Sequence, residues 1–188
     1  MVTWFLEVAS AFSHAIAAAA IGSAFYRRGL PARFWVLGAA CAIVPDADVI
    51  GVALGVPFRS LFGHRGLSHS LVFAAVLAAV VVPVFFARMG TEASPARLWL
   101  YFFLATASHG VLDALTNGGP GIAFFAPFDN ARYFLPWRPV VVSPIGIRPF
   151  FSEWGLRVIE SELRWVWLPS LVFASLAVTV RRHAPEPN

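Results

Sequence analysis

Five apolar runs, each about as long as a bilayer is thick, leave this chain few folds to choose from. They cover residues 4–26, 34–56, 67–89, 98–116 and 163–180, and a membrane-spanning helix needs ~20 mostly apolar residues. Inside lipid every backbone N–H and C=O must find a partner within the protein, so runs of this length read as helices. Composition agrees: 59% of the 188 residues are hydrophobic, 13% are charged and the mean hydropathy is +0.72, far from soluble averages. The expected fold class is all-α, a polytopic transmembrane helical bundle of about five spans forming a single domain over 1–188. The N-terminal run has no basic leader and carries Glu7 and His14, so it reads as a retained span rather than a signal peptide.

Prolines and glycines punctuate the runs. Gly22 and Ser23 in the first would let helices approach closely. Pro45 interrupts the second at Val44-Pro45-Asp46-Ala47-Asp48 and should kink or end the helix there. Pro83 should kink the third, and Asn117-Gly118-Gly119-Pro120-Gly121 stops the fourth. Residues 118–154 differ from the rest, being rich in Phe, Trp, Pro and Arg. That mixture fits an irregular interfacial segment made of short pieces over the mouth of the bundle. A last helix should begin near Trp154 and give way to a frayed tail at 183–188. All 14 basic residues are Arg and form no stripe interleaved with aromatics, which argues against nucleic acid as a partner. Cys41 is the sole cysteine; it excludes an intrachain disulfide and reads as a small buried hydrophobe.

The ionisable residues lie where a membrane protein can least accommodate them unpaired. His109 and Asp113 are four apart in the fourth run and share a helix face. Asp46 and Asp48 fall late in the second run, His64 and His69 at the start of the third, and His14 near the middle of the first. With consecutive spans antiparallel, the second, third and fourth groups reach the same side, and His14 joins them if the site is sunk into the bundle. Intramembrane ionisable residues are functional candidates by default. The plainer alternative is a polar network that only pins helices. His14 by itself is more often a helix-contact histidine, and the Pro-Asp-Ala-Asp stretch can be a helix break with Asx-turn chemistry. Glu7, Glu160 and Glu162 read as interfacial, with Glu160 ranked first among them as a late partner of the cluster.

Imidazole and carboxylate donors without thiolate suit a divalent cation, zinc first, with manganese or iron as alternatives. A His-x3-Asp pair with further His and Asp can build a mononuclear or two-metal site that lowers the pKa of bound water and polarises a phosphoryl or carbonyl oxygen. In that reading His14, Asp48, His64, His69, His109 and Asp113 are candidate ligands. Asp46 or Asp48 is a candidate base, and Arg65 a candidate holder of a phosphate oxygen unless it merely snorkels at the interface. The connections opposite the cluster hold Arg27, Arg28, Arg33, Arg88, Arg97, Arg181 and Arg182, against Arg59 and Arg65 on its own side. The positive-inside rule then turns the cluster away from the cytoplasm, although Arg residues of the 118–162 stretch pull the other way.

At Phe12-Ser13-His14, Pro45-Asp46-Ala47-Asp48, His64-Arg65-Gly66-Leu67-Ser68-His69-Ser70 and Ser108-His109-Gly110-Val111-Leu112-Asp113 the chain resembles the YdjM family. The Pro-Trp-Arg-Pro and Val-Ser-Pro-Ile-Gly pieces within 136–146 look like family features too, and the resemblance covers roughly residues 10–150. It implies a bacterial inner-membrane, metal-dependent hydrolase. The order of the motifs is also similar to that of zinc-dependent phospholipase C and P1-type nucleases. That similarity implies one metal on His69 (or His64), His109 and Asp113, with Asp113 bridging to a second held with His14, and Asp46 or Asp48 as base or ligand. The chain departs from that superfamily in having no downstream His-x3-Glu pair and no N-terminal Trp ligand.

The expected function is metal-dependent hydrolysis of a phosphoester or lipid-like substrate reaching the site beside the aromatic segment, with membrane lipid as the surrounding partner. Two rivals use the same residues: an ion- or proton-coupled transporter, and a non-catalytic membrane scaffold. The absence of Gly-x-Ser-x-Gly and His-Glu-x-x-His disfavours serine hydrolases and intramembrane metalloproteases. Oligomeric state is not legible.

Overall fold

The computed structural model describes residues 7–88, 94–144 and 151–183. Helices dominate. α1 spans Ala11–Phe25 and α2 spans Arg33–Ile43. A 3-10 turn at Val44–Ala47 leads into α3, Asp48–Ala53. A second 3-10 turn, Leu67–His69, opens α4 at Leu71–Phe86. α5 covers Pro95–Ala114, and α6, Glu153–Glu162, passes through a π-helical stretch at Leu163–Trp167 into α7, Leu168–His183. Glu7–Val8 (β1) and Ser143–Pro144 (β2) form a two-residue antiparallel pair that ties the start of the described chain to the end of the irregular segment.

Local chemistry sets these boundaries. Ser10, Ser70 and Ser94 cap α1, α4 and α5, their hydroxyls accepting from the backbone of Ser13, Phe73 and Arg97, and each cap satisfies one of the orphan N–H groups of a helix start. Pro95 follows Ser94 at the first-turn position, where its missing N–H costs nothing. Pro45 tightens the end of α2 into the 3-10 turn, as expected, whereas α4 continues through Pro83.

α5 is the central helix, packing on α1, α2 and α4, and α1 also packs on α7. Close approach is achieved by small residues at the crossing. A Cβ on Gly38 would overlap the Tyr101 hydroxyl, and one on Gly22 would press on Trp35 and Tyr101, so these glycines admit the aromatic side of α5. Phe34, Tyr101 and Phe102 fill the core around buried Ala18, Ala42 and Ala78, with Cys41 beside them. Outward faces are as apolar as the core: Val36, Ile50, Val80, Val84, Leu171 and Val180 are all more than half exposed. A bundle with its His/Asp cluster inside and large hydrophobics outside matches a lipid surround.

Two helices are long and apolar enough to cross a membrane, Arg33–Ala53 at 21 residues and Glu153–His183 at 31. α1 and α4 are apolar but shorter. The expected five crossings therefore have two candidates of sufficient length among the described residues. The ends of the expected first and third spans, at 4–6 and 89, lie outside those residues, as does the tail at 184–188. Between Thr116 and Ser143 the chain forms no helix, only the isolated bridges Thr116–Val140 and Ile122–Tyr133, in keeping with the irregular segment read from its prolines.

Candidate metal centre

Four helix ends meet at one end of the bundle: the starts of α1 and α4 and the ends of α2 and α5. The convergence places Asp46, His69, His109 and Asp113 so that one donor atom from each lies within 4.8 Å of the others. His14, Arg65, His69, His109 and Asp113 are buried, and Asp46 retains 18% exposure of its side chain.

Hydrogen bonds assign the lone pairs. His109 Nδ1 is 2.7 Å from the carbonyl oxygen of Ala42. A carbonyl only accepts, so Nδ1 carries the proton and Nε2 presents a lone pair. His69 Nδ1 lies 3.2 Å from Asp48 Oδ2 and 3.0 Å from Ser68 Oγ, whose own hydroxyl donates to the same carboxylate oxygen at 2.7 Å. His69 Nδ1 is thereby turned to Asp48, and its Nε2 is aimed at the Asp46 and Asp113 oxygens. The two Nε2 atoms face each other at 3.0 Å, a contact that demands either a shared proton or a cation between them.

The remaining separations fit that demand. His109 Nε2 is 3.3 Å from Asp46 Oδ1, His69 Nε2 is 3.6 Å from both Asp46 Oδ1 and Asp113 Oδ2, and His109 Nε2 is 3.9 Å from Asp113 Oδ2. Tetrahedral ligands on ~2.0 Å bonds stand about 3.3 Å apart. Asp46 Oδ1 and Asp113 Oδ2 are buried with no hydrogen-bond partner. Buried acceptors without a hydrogen bond are costly in a protein interior; the Arg65 charge answers Asp113 Oδ2 in part, and a divalent ion would satisfy both.

The other expected site residues surround this set in different ways. His14 stacks on His109 with ring centroids 3.8 Å apart, and its Nε2 stands 3.7 Å from Asp113 Oδ1. Both of its nitrogens are buried without a hydrogen bond. Asp48 receives His64 Nδ1 at 2.7 Å on one oxygen and Ser68 Oγ, the Arg65 N–H and His69 Nδ1 on the other. Asp48, His64 and His69 form a second group with donor atoms within 4.8 Å of one another, but the hydrogen bonds just named already occupy the Asp48 oxygens. Arg65 is fully buried: its Nε lies 3.1 Å from Asp113 Oδ2, and its terminal nitrogens donate to Gly118 O at 2.8 Å and Thr116 Oγ1 at 3.1 Å. Its guanidinium thus neutralises Asp113 and ties α5 to the loop that follows.

That placement needs an unusual backbone. Arg65 has φ 61°, a left-handed conformation uncommon outside glycine. It is held from three sides: its N–H bonds Asp48, and its carbonyl accepts from Ala123 N at 3.1 Å and Arg132 Nη1 at 3.1 Å. Arg132 also donates to the carbonyls of His64 and Ser60, stapling the His64–Arg65 loop to the irregular segment. Burial, and then nearby Arg59, lowers the Arg132 guanidinium pKa from its ordinary value. Gly119, with φ +83°, leaves room for Arg65; a Cβ there would overlap the guanidinium.

Glu162 corrects an expectation. Glu160 is exposed, whereas Glu162 is fully buried and accepts from Ser10 N at 2.6 Å and Ser10 Oγ at 2.5 Å. One residue earlier, the Ala9 N–H donates to Asp113 Oδ1 at 3.0 Å. The last helix thus fixes the turn before α1, from which Ala9 gives Asp113 a hydrogen bond. The signal was present in the periodicity: Gly155, Val158, Glu162 and Val166 are the buried positions of this helix, spaced three or four apart, and Glu160 lies off that stripe. Ser68 was visible within the motif, but nothing marked Arg132.

The architecture is that of a helical membrane protein carrying a buried His/Asp cluster able to hold a metal ion. The chain matches the YdjM inner membrane protein family over residues 10–185 and belongs to that family. It is 36% identical over 170 residues to inner membrane protein YbcI of Escherichia coli K12, covering 90% of this chain and 97% of that relative. No solved structure matches the chain.

Proposed function

We propose that this protein is a multi-pass bacterial inner-membrane hydrolase that uses one divalent metal, zinc by preference, to cleave a phosphoester or lipid-like substrate at the end of the bundle where α5 stops. The observation that carries the reading is the set of facing His69 and His109 Nε2 atoms, 3.0 Å apart, with Asp46 and Asp113 oxygens beside them. A metal there would be held by His69, His109 and Asp113, beside Asp46, and would supply Lewis acidity and a water of lowered pKa. His14, beside Asp113 Oδ1, is the donor on which a second ion would draw.

The side chains divide the remaining work. Asp46, the member of the set with solvent access, takes the proton from the attacking water. Asp48 orients His69 through Nδ1, as carboxylates behind metal-ligating histidines do. Arg65 balances the charge of Asp113. Five crossings, with the cluster facing away from the cytoplasm, are favoured by the arginines at the opposite end.

The test is metal content of the detergent-purified protein beside His109→Ala and Asp113→Ala, followed by a screen of phosphodiester, phosphomonoester and carboxylic ester probes. We expect about one metal per chain, lost in both variants, and hydrolysis that returns when metal is restored. A wild type that takes up no metal even after reconstitution would overturn the reading. Metal-dependent ion flux in liposomes without any hydrolysis would favour a transporter instead.

A further inference from the structure

Ile122 and Tyr133 exchange backbone hydrogen bonds at 2.8 and 2.9 Å and close a loop over residues 123–132. Phe128 at its tip is 86% exposed, more than any other large hydrophobic side chain among the described residues, and Phe125 is 51% exposed. The loop is braced from within. The N–H groups of Ala126, Phe128, Asp129 and Ala131 all find acceptors inside it: Ala123 O, Phe125 O for the next two, and Asp129 Oδ1. Pro127 has no N–H to satisfy. The Tyr133 hydroxyl donates to Asp129 Oδ2 at 3.0 Å, and its ring meets the Phe125 ring edge-on with centroids 5.6 Å apart.

The loop sits against the start of α4 and the end of α5. The Phe124 carbonyl accepts from Leu71 N at 3.0 Å, and a Cβ on Gly110 would press on the Phe124 ring and the Ile122 side chain. Five residues beyond Leu71, ~7.5 Å along the helix, the exposed apolar face of α4 begins with Val76 and continues through Val80 and Val84.

We propose that Phe125 and Phe128 insert into the acyl region of the leaflet at the cluster end, with Asp129 and Asn130 held at headgroup level. Two observations point to lipid. The tip adjoins the outer face of α4, so acyl chains that cover Val76 meet the loop next. Its N–H groups are paired internally, and backbone already paired can enter an apolar surround without losing water as a partner. The exposed Asp129 and Asn130 limit the depth, since a carboxylate is costly in hydrocarbon, so the insertion is shallow, ~5–10 Å. It needs neither metal nor catalysis.

Spin labels on the full chain in phosphatidylethanolamine/phosphatidylglycerol proteoliposomes test the insertion. Cys41, the sole cysteine and buried, is replaced as Cys41→Ala, and single cysteines are introduced as Phe128→Cys, Ala131→Cys, Val80→Cys and Arg28→Cys. Collision with oxygen marks lipid, and collision with a water-soluble nickel chelate marks water. The Phe128→Cys label should show an oxygen-to-nickel ratio close to that of Val80→Cys and several-fold above those of Ala131→Cys and Arg28→Cys. A ratio equal to that of Arg28→Cys would place the tip in water and overturn the proposal. So would equal ratios at Phe128→Cys and Ala131→Cys, which would remove the gradient. Low collision with both reagents would mean that protein, a second copy or another partner, covers the tip, and would overturn it as well. Because the nitroxide is itself apolar, Phe125→Cys is labelled with and without Phe128→Asp. The added Asp should shift that label toward the aqueous ratio, and an unchanged ratio would show that the label, not the Phe128 ring, seeks lipid.

Discussion

At the end of the bundle where α5 stops, ionisable side chains are buried and answered by one another; where α5 starts, arginines lie at the surface and are answered largely by backbone carbonyls. Asp113 at the first end meets Arg65, the Ala9 N–H and three imidazoles. Arg97 and Arg181 at the second end meet the last carbonyls of α1. The difference concerns what is lost when one group is removed. A buried charge left alone pays its full desolvation penalty, whereas carbonyls at a surface helix end can turn to water or lipid head groups.

Arg65→Met should therefore have the largest effect. It strands Asp113 and opens the bonds to Thr116 and Gly118. Loss of one partner from a buried pair costs about 3–5 kcal/mol. Equilibrium unfolding in mixed micelles should show that loss, and show it larger in chelator than with bound metal, because the metal also offsets Asp113. A cost under about 1 kcal/mol, the scale of exposed pairs, would break the contrast between the two ends.

Glu162→Gln should be intermediate. The substitution keeps the shape and one acceptor for Ser10 but removes the charge from two short hydrogen bonds. Hydrogen bonds to charged groups contribute about 1.5–3 kcal/mol, so part of that should go. Metal affinity should fall with it, since Ser10 adjoins the residue whose N–H reaches Asp113. Glu160→Gln, two residues away on the exposed face, should change neither quantity. If both variants leave metal affinity untouched, the last helix has no hold on the site.

How much of this was legible in the sequence depends on range. His109 and Asp113 needed only helical spacing, and their meeting with Asp46 and His69 needed only alternating span direction, which the helix ends obey. Asp48 and Arg65 carried the right chemistry without their partners. Whether Asp48 faces a metal or the back of His69 is decided by a 3-10 turn at Val44–Ala47 and another at Leu67–His69, and no periodicity reports those angles. Arg65 depends on a left-handed φ and on Gly119, 54 positions away. Span number was the weakest inference, because apolar runs overstate helix length wherever Pro, Gly or a cap ends the helix inside the run, as Ser70 does for α4.

Arg97→Ala should have the smallest effect and sharpens the comparison most. It removes two hydrogen bonds to the end of α1, at 3.2 and 2.9 Å, and a contact with the Phe25 ring. Arg181 still reaches Ser23 O at 2.6 Å, so the helix keeps part of its cap, and the freed carbonyls lie where other donors can reach them. The expected loss is about 1 kcal/mol, seen in unfolding, with metal content unchanged. Metal loss in this variant would mean that α1 transmits strain along its whole length to His14 and the strand before it. The two ends would then be one mechanical unit, and the argument that each end resolves its charge locally would fail.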